Sequence, residues 1–280
     1  MPQPVVAIAH GEDPLDLVRQ VLEAIGAAAV VGPDDRIVLK PKYVEPMRPD
    51  TGVTTDPRVI DAVIAWLQGQ GAADITVAES TWTRERTDRA FRLVGLPQIA
   101  DRRRVKLLNL FDDEHVEVDI PNAHSLHRVL LPRTLLDATC IISLPKLKCH
   151  SMAHVTLGIK NLMGAVFPDK DLMHRQLHHR LCDLATVLRA KLTVIDGLIG
   201  CERHETSGSP VKTDVIIAGR DPVATDAVGT MVMGMDPARI EHLRLCAERG
   251  LGEHRPDHIT LVGAPLAEVR KAYQKPHSYR

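Results

Sequence analysis

A chain of 280 residues, 44% hydrophobic and 25% charged, is long enough for one large α/β domain or two lobes around a sizeable core. Its formal net charge of -1, with 35 basic and 36 acidic side chains, excludes a general nucleic-acid or membrane-surface binder, which carries a basic excess. At 3% aromatic content there are also few stacking platforms for single-stranded nucleic acid.

In chain order, short apolar runs predict strands at Val5–Ala9, Arg36–Lys40, Asp74–Ala78, Val105–Asn109, Thr139–Leu144, Leu192–Ile195, Asp214–Ala218 and His258–Val262. Between them, helical periodicity predicts helices over Pro14–Gly26, Pro57–Gly69, Glu85–Val94, a segment after Ser151, Leu172–Ala190, Pro222–Met233 and Pro237–Arg249. This alternation predicts an α/β fold: a mostly parallel, doubly wound sheet with helices on both faces. The stretch 111–133 breaks the rhythm and predicts a small antiparallel excursion, leaving open two lobes, 1–135 and 136–280, within a single domain. Asp-Pro opens four helical patterns, at Asp13, Asp56, Asp221 and Asp236, where Asp caps the first turn and Pro forfeits no hydrogen bond.

The five cysteines, Cys140, Cys149, Cys182, Cys201 and Cys246, are scattered and form no CxxC pair. No iron–sulfur cluster or zinc ribbon is therefore expected, and free thiols fit a reducing compartment. The N-terminus MPQPVVAIAHGEDP has no basic n-region or long apolar h-region, and no apolar run approaches the ~18 residues of a membrane span. The expectation is a cytoplasmic protein with no membrane or nucleic-acid partner.

Chemistry concentrates at strand ends. IVLKPKYV puts Lys40 and Lys42 after an early strand, and LPKLKCHSMAHVTLGIKNLMG puts Lys146, Lys148, His150 and His154 after a later one. Asp137 and Asp169 are the nearest acids to the second stretch, so nothing local neutralises it. In a doubly wound sheet, ligands sit beyond the carboxyl ends of strands, so two lysine-bearing ends suit one anion. Ile159, Leu162, Met163 and Val166 recur at helical spacing, which predicts a core-packed helix carrying Lys160 and Asn161 beside its apolar stripe. A lysine near apolar surface has a lowered pKa and can act as a base or grip an anion. Thr55 and Asp56 sit at a helix N-terminus, where free amides attract anions. VIDGLIGCE ends a strand with Asp196 and reaches Glu202 through two glycines, a position for an acid or base, or simply an Asp-Gly turn. DKDLMHRQLHHRLCDL reads as a helix with Asp171, His174 and His178 on one face at spacings of three and four, which suits a metal. GxSxG, P-loop and GxGxxG patterns are absent.

The stretches IVLKPKYV, TTDPRVIDAVIAWLQGQGAADITVAES, ISLPKLKCHSMAHVTLGIKNLMGAV, LTVIDGLIG and IIAGRDPVATDAVGTMVMGMDPARIEHLRLCAERGLGE resemble, in order, the bacterial and archaeal family of unknown function DUF362. Many of its members carry a ferredoxin-like cysteine segment, which this chain lacks. The family's turn after the Asp-Gly strand is rich in Gly and Pro. Here it reads GCERHETSGSP, with His204 and Glu205 in place of small residues. A more distant likeness is to the nickel-pincer lactate racemase family, which has a His and, ten residues on, a Lys; His150 and Lys160 have that spacing. Ser80-Thr81-Trp82-Thr83 stands where that family has a His, a departure that argues against the pincer cofactor.

Together these features predict an enzyme for a small, carboxylate-bearing anionic metabolite, of isomerase or lyase type. His150, Lys160, Asp196 and Glu202 are the candidate catalytic residues. Lys40, Lys42, Thr55, Asp56, Lys146, Lys148, His154 and Asn161 are the candidate binding residues. Two alternatives stay open: a metal-dependent enzyme using His150, His154 or His174, and a non-catalytic redox-accessory or ligand-binding module. No cofactor is specified, and a homo-oligomer is left open.

Overall fold

In the computed structural model, which describes residues 3–279, one face of each core strand packs against one apolar cluster and the other face against a second. Val6 and Ile8 point one way and Ala7 and Ala9 the other; Val38 is set against Ile37 and Leu39, and Ile195 against Val194. This is the period-two consequence of a strand buried on both faces.

The elements run β1 (Val5–His10), α1 (Pro14–Ala24), β2 (Arg36–Pro41), α2 (Pro57–Gly69), β3 (Asp74–Glu79), α3 (Arg84–Leu93), α4 (Leu96–Arg103), β4 (Lys106–Asn109), β5 (His115–Asp119), β6 (Arg128–Pro132), α5 (Arg133–Leu136) and β7 (Cys140–Leu144). They continue through β8 (Lys146–His150), β9 (His154–Thr156), α6 (Gly158–Asn161), α7 (Leu177–Val187), β10 (Ala190–Glu202), β11 (Ser209–Gly219), α8 (Pro222–Val232), α9 (Glu241–Glu248), β12 (Thr260–Gly263) and α10 (Leu266–Val269). The main sheet has ten strands in the order β12-β1-β11-β10-β7-β2-β3-β4, with β8 and β9 added alongside β10. Its pairings are mostly parallel; β11 runs antiparallel to both β1 and β10. Strands from both halves of the chain join this one sheet.

Helices α1 to α4 contribute Leu17, Val21, Ile60, Ile64, Phe91 and Ile99 to one cluster. Helices α6 to α9 contribute Ile159, Leu181, Val228 and Leu243 to the other. The connections from β2 to β3 and from β3 to β4 thus cover one face, and the connection from β7 to β10 covers the opposite face. Since β2 and β7 are parallel neighbours, the strand order reverses between them, and a crevice opens at their carboxyl ends. The predicted excursion is the antiparallel pair β5–β6. All four Asp-Pro aspartates accept from a first-turn amide, although Asp236 heads only a 3-10 turn, Pro237–Arg239. Among the described residues no helix is long and apolar enough to cross a membrane.

Several expected elements differ. Asp196-Gly197 is not a turn: β10 continues to Glu202, because β11 pairs with it as a long hairpin through a register irregularity at Gly197–Ile199. The expected helix over Leu172–Ala190 is broken at Gln176, whose φ of 51° is left-handed, so α7 starts only at Leu177. The helix expected after Ser151 is the single turn α6 followed by a 3-10 turn, Leu162–Ala165. Its apolar stripe is nonetheless buried at Ile159, Leu162, Met163 and Val166. α4 was not foreseen.

Candidate functional site

The two lysine-bearing strand ends lie side by side, with Pro41 of β2 in register with Leu144 of β7. Lys-Leu-Lys-Cys-His is a strand rather than the expected loop. Pro145 ends β7, its carbonyl accepts from the Asp196 amide, and the chain moves across to pair with β10. On β8 the side chains alternate: Leu147 and Cys149 enter the apolar core, leaving Lys146, Lys148 and His150 on the opposite side.

A cleft of about 230 Å³ sits at this point. Lys42, His150 and Lys160 line its buried interior, Trp82 and His174 line it from more exposed positions, and Glu205 enters from the β10–β11 connection. Neither Lys42 nor Lys160 has a carboxylate partner among the described residues. Among the described residues, the Lys160 Nζ meets only the Met163 sulfur, at 3.0 Å. Burial, reinforced by Lys42, holds the Lys160 pKa well below the ordinary lysine value. Burial and the neighbouring Lys40 lower Lys42 to about 8. Lys170, which donates to the Ser80 hydroxyl at 2.9 Å and to the Thr81 carbonyl, is lowered by burial to about 7. Two buried hydroxyls of cleft-lining residues, Tyr43 Oη and Thr156 Oγ1, lack any hydrogen-bond partner. Such groups are rare unless something absent completes them.

His150 has its tautomer set by the backbone. Its Nδ1 accepts from the amides of Met152 (3.1 Å) and Ala153 (3.2 Å), so the proton resides on Nε2, which lies 3.9 Å from Glu205. Burial, followed by the charges of Lys160 and Lys42, holds its pKa far below the usual imidazole range, so the ring is neutral. Glu205 is anchored by the Ser151 amide (2.9 Å) and hydroxyl (3.0 Å). Burial pulls its carboxyl upward, but these bonds and His204 together leave it below its ordinary pKa.

Behind the cleft, Lys40 is fully buried against Glu79 (2.7 Å). Glu79 also accepts from the Tyr43 amide (3.0 Å) and the Ser80 amide (2.7 Å), which ties β2 to β3. Asn161 donates to the Lys40 carbonyl (2.8 Å) and to Ser143 (3.1 Å), adding α6 and β7 to the knot. Gly164 closes over it: a Cβ there would lie 2.6 Å from the Lys40 nitrogen, so the close approach requires glycine. Asp226 of α8 accepts from the amides of Gly158 (2.7 Å) and Ile159 (2.9 Å), which fixes the turn that presents Lys160.

The structure thus brings Lys42, His150 and Lys160 together in the cleft and leaves other sequence candidates outside its lining. Lys146 and Asp196 form a buried pair at 2.7 Å, and Asp196 also accepts from the Asp56 amide at 2.6 Å. Asp56 caps α2 and pairs with Arg58, and the Thr55 hydroxyl joins the Lys42 amide to the Leu144 carbonyl. Lys148 donates to the carbonyls of Val53 (3.0 Å) and Glu205 (2.8 Å). Glu202 accepts from the Gln274 amide, and His154 stands against His178 and Tyr279. Asp171 and His174 meet at 3.2 Å within the 3-10 turn Lys170–His174, but the break at Gln176 puts His178 on α7 against His242, so the three do not share one helical face. Among the described residues no three or more His, Cys, Asp or Glu groups converge on a metal position. Tyr43, Glu79, Lys170 and Glu205 escaped the sequence reading of the site; only Glu205 had stood out, as an unusual insertion.

The family model described as "Domain of unknown function (DUF362)" matches residues 37–231. The chain belongs to this family. The matched span contains every cleft residue named above. A thylakoid-associated protein of Synechocystis sp. is 28% identical over 251 residues, covering 84% of this chain and 74% of its own. Among solved structures, the lactate racemase apoprotein of Thermoanaerobacterium thermosaccharolyticum is similar over 78% of this chain at 10% identity, with a TM-score of 0.38. The chain spans 54% of that protein's length.

The cleft lysines have a consequence for stability. Lys42 loses its proton at about 8 when folded but near 10.5 when unfolded. Above pH 8 the unfolded chain therefore binds the extra proton, and stability attributable to this residue rises with pH. The denaturation free energy of the native protein minus that of Lys42→Met is expected to rise between pH 8 and 10, approaching about 1.4 kcal/mol per pH unit. A difference that stays flat over that range rejects the lowered pKa.

Proposed function

We propose that this cleft binds a small carboxylate-bearing anion and moves the proton on the carbon next to the carboxylate, as an isomerase or lyase does. The observation that carries the reading is the pair of buried lysines without carboxylate partners, Lys42 and Lys160, facing a neutral histidine whose cleft-side nitrogen is a donor.

The roles divide by protonation state. Lys42 keeps most of its charge at neutral pH and holds the substrate carboxylate. Lys160, whose pKa burial holds well below the ordinary lysine value, accepts the proton. The C–H bond breaks, its electron pair moves onto the carboxylate oxygens, and the His150 Nε2–H donates a hydrogen bond to the oxygen where charge builds. Return of the proton from Lys160 after the planar intermediate has turned its other face to it completes an isomerisation; departure of a β-substituent with its electron pair completes an elimination. His150 therefore acts as a donor to the developing charge, and the base role falls to Lys160.

The test is to purify the protein natively, identify the small acid it retains, and incubate that acid with enzyme in D2O. Deuterium should enter the α position with native protein, fall at least a hundredfold with Lys160→Met, and fall about tenfold or more with His150→Gln. Equal exchange in all three proteins would end the proposal.

A further inference from the structure

The cleft is graded from charge to apolar surface. Its charged and hydrogen-bonding groups are deep: Lys42 is 6% exposed, Lys160 4% and His150 5%. Trp82, which lines the same cleft, is 40% exposed and is one of only two tryptophans in the chain. An exposed indole at the edge of a buried pocket is unusual, because its large apolar surface would normally be covered. Its nearest aromatic neighbour is His174, also a cleft residue, at 6.5 Å between ring centroids and tilted by 38°. That separation is at the outer limit of ring contact, so the two rings do not cover one another. The Met163 sulfur, which meets Lys160, adds a soft apolar surface to the lining.

Resting on the carboxylate reading above, the geometry points to a substrate with a planar or apolar body attached to its carboxylate: the carboxylate goes deep to Lys42, within reach of Lys160 and His150, and the body lies on Trp82. Trp82 is a specificity-determining residue in this arrangement and takes no part in proton transfer. The exposure gradient sets the direction, since the reverse pose would bury the apolar body among cations and leave the carboxylate at the indole. A plain two- or three-carbon acid would leave Trp82 uncovered.

Calorimetric titration of the full-length protein with propanoate, 3-phenylpropanoate and 3-phenylpropan-1-ol tests this. On native protein, 3-phenylpropanoate should bind at least tenfold more tightly than propanoate, and the alcohol should bind weakest. Trp82→Ala, at an exposed position that the fold does not depend on, should bring the two acids within twofold of each other. Lys42→Met should weaken both acids together. In a Trp66→Phe background, 3-phenylpropanoate should also change the Trp82 emission, which propanoate should not. Equal affinities for the two acids on native protein, with both lost in Lys42→Met, overturn the Trp82 inference and leave the anion site standing. Failure of both acids to bind overturns the inference together with the carboxylate reading.

Discussion

Lys160→Met should stabilise the protein while abolishing α-proton exchange. The side chain is buried, its nitrogen touches only a thioether, and burial holds its pKa well below the ordinary value. At neutral pH the unfolded chain carries a hydrated ammonium at this position, whereas burial in the folded protein disfavours that charge. The difference counts against folding. Methionine has nearly the same length, fills the same space and has no charge to dehydrate. The gain should appear as a rise of a few degrees in melting temperature. A residue kept at a cost to stability in this way is the pattern expected of a functional group. Thermal denaturation and the deuterium assay together decide it. A variant that melts lower, or one that still exchanges, would show that Lys160 is a packing element.

Asp196→Ala should do the opposite and damage the fold itself. Its carboxylate accepts from Lys146 (2.7 Å) and from the amides of Asp56 (2.6 Å) and Leu198 (3.1 Å), and every one of these contacts is buried. Truncation leaves a buried ammonium without its counter-charge and two amides without acceptors. Breaking one side of a buried pair costs roughly 3–5 kcal/mol, a large share of the ~5–15 kcal/mol that holds a domain together. Most of the protein should be insoluble or melt many degrees lower. Lys146→Met combined with Asp196→Leu should be milder than Asp196→Ala alone, because no unpaired charge remains. If Asp196→Ala melts within two degrees of native protein yet fails to exchange deuterium, Asp196 belongs to the chemistry after all.

The contrast between these two residues shows where sequence reading succeeds and where it stops. Both stand out in the sequence as groups able to carry acid–base work, Lys160 on a helix packed against the core and Asp196 at a strand end. A lysine beside an apolar stripe and an aspartate before a glycine look equally suited to it. What separates them is the partner: Asp196 meets Lys146, fifty residues earlier, through the pairing of β8 with β10, and Lys160 meets no acid. No local pattern predicts a pairing that the sheet creates. One local signal does mark β8. Lys146, Lys148 and His150 alternate with Leu147 and Cys149, which is the period of a strand with one polar face. The Leu172–Ala190 stretch misled for a different reason. Its residues suit a helix throughout, and only the left-handed turn at Gln176 splits it and removes the supposed row of Asp171, His174 and His178.

The sequence by itself determined the alternation of strands and helices, the aspartate caps, the antiparallel excursion and the family, because each depends on residues close in the chain or on an ordered series of motifs. It also located the two lysine-rich strand ends. Only the tertiary structure decided which of those lysines are neutralised. Lys40 and Lys146 find Glu79 and Asp196 across strands, whereas Lys42 and Lys160 converge on an open cleft beside His150. The physical reason is that a buried charge is defined by its neighbours in space, and a parallel sheet whose order reverses between β2 and β7 takes those neighbours from distant parts of the chain.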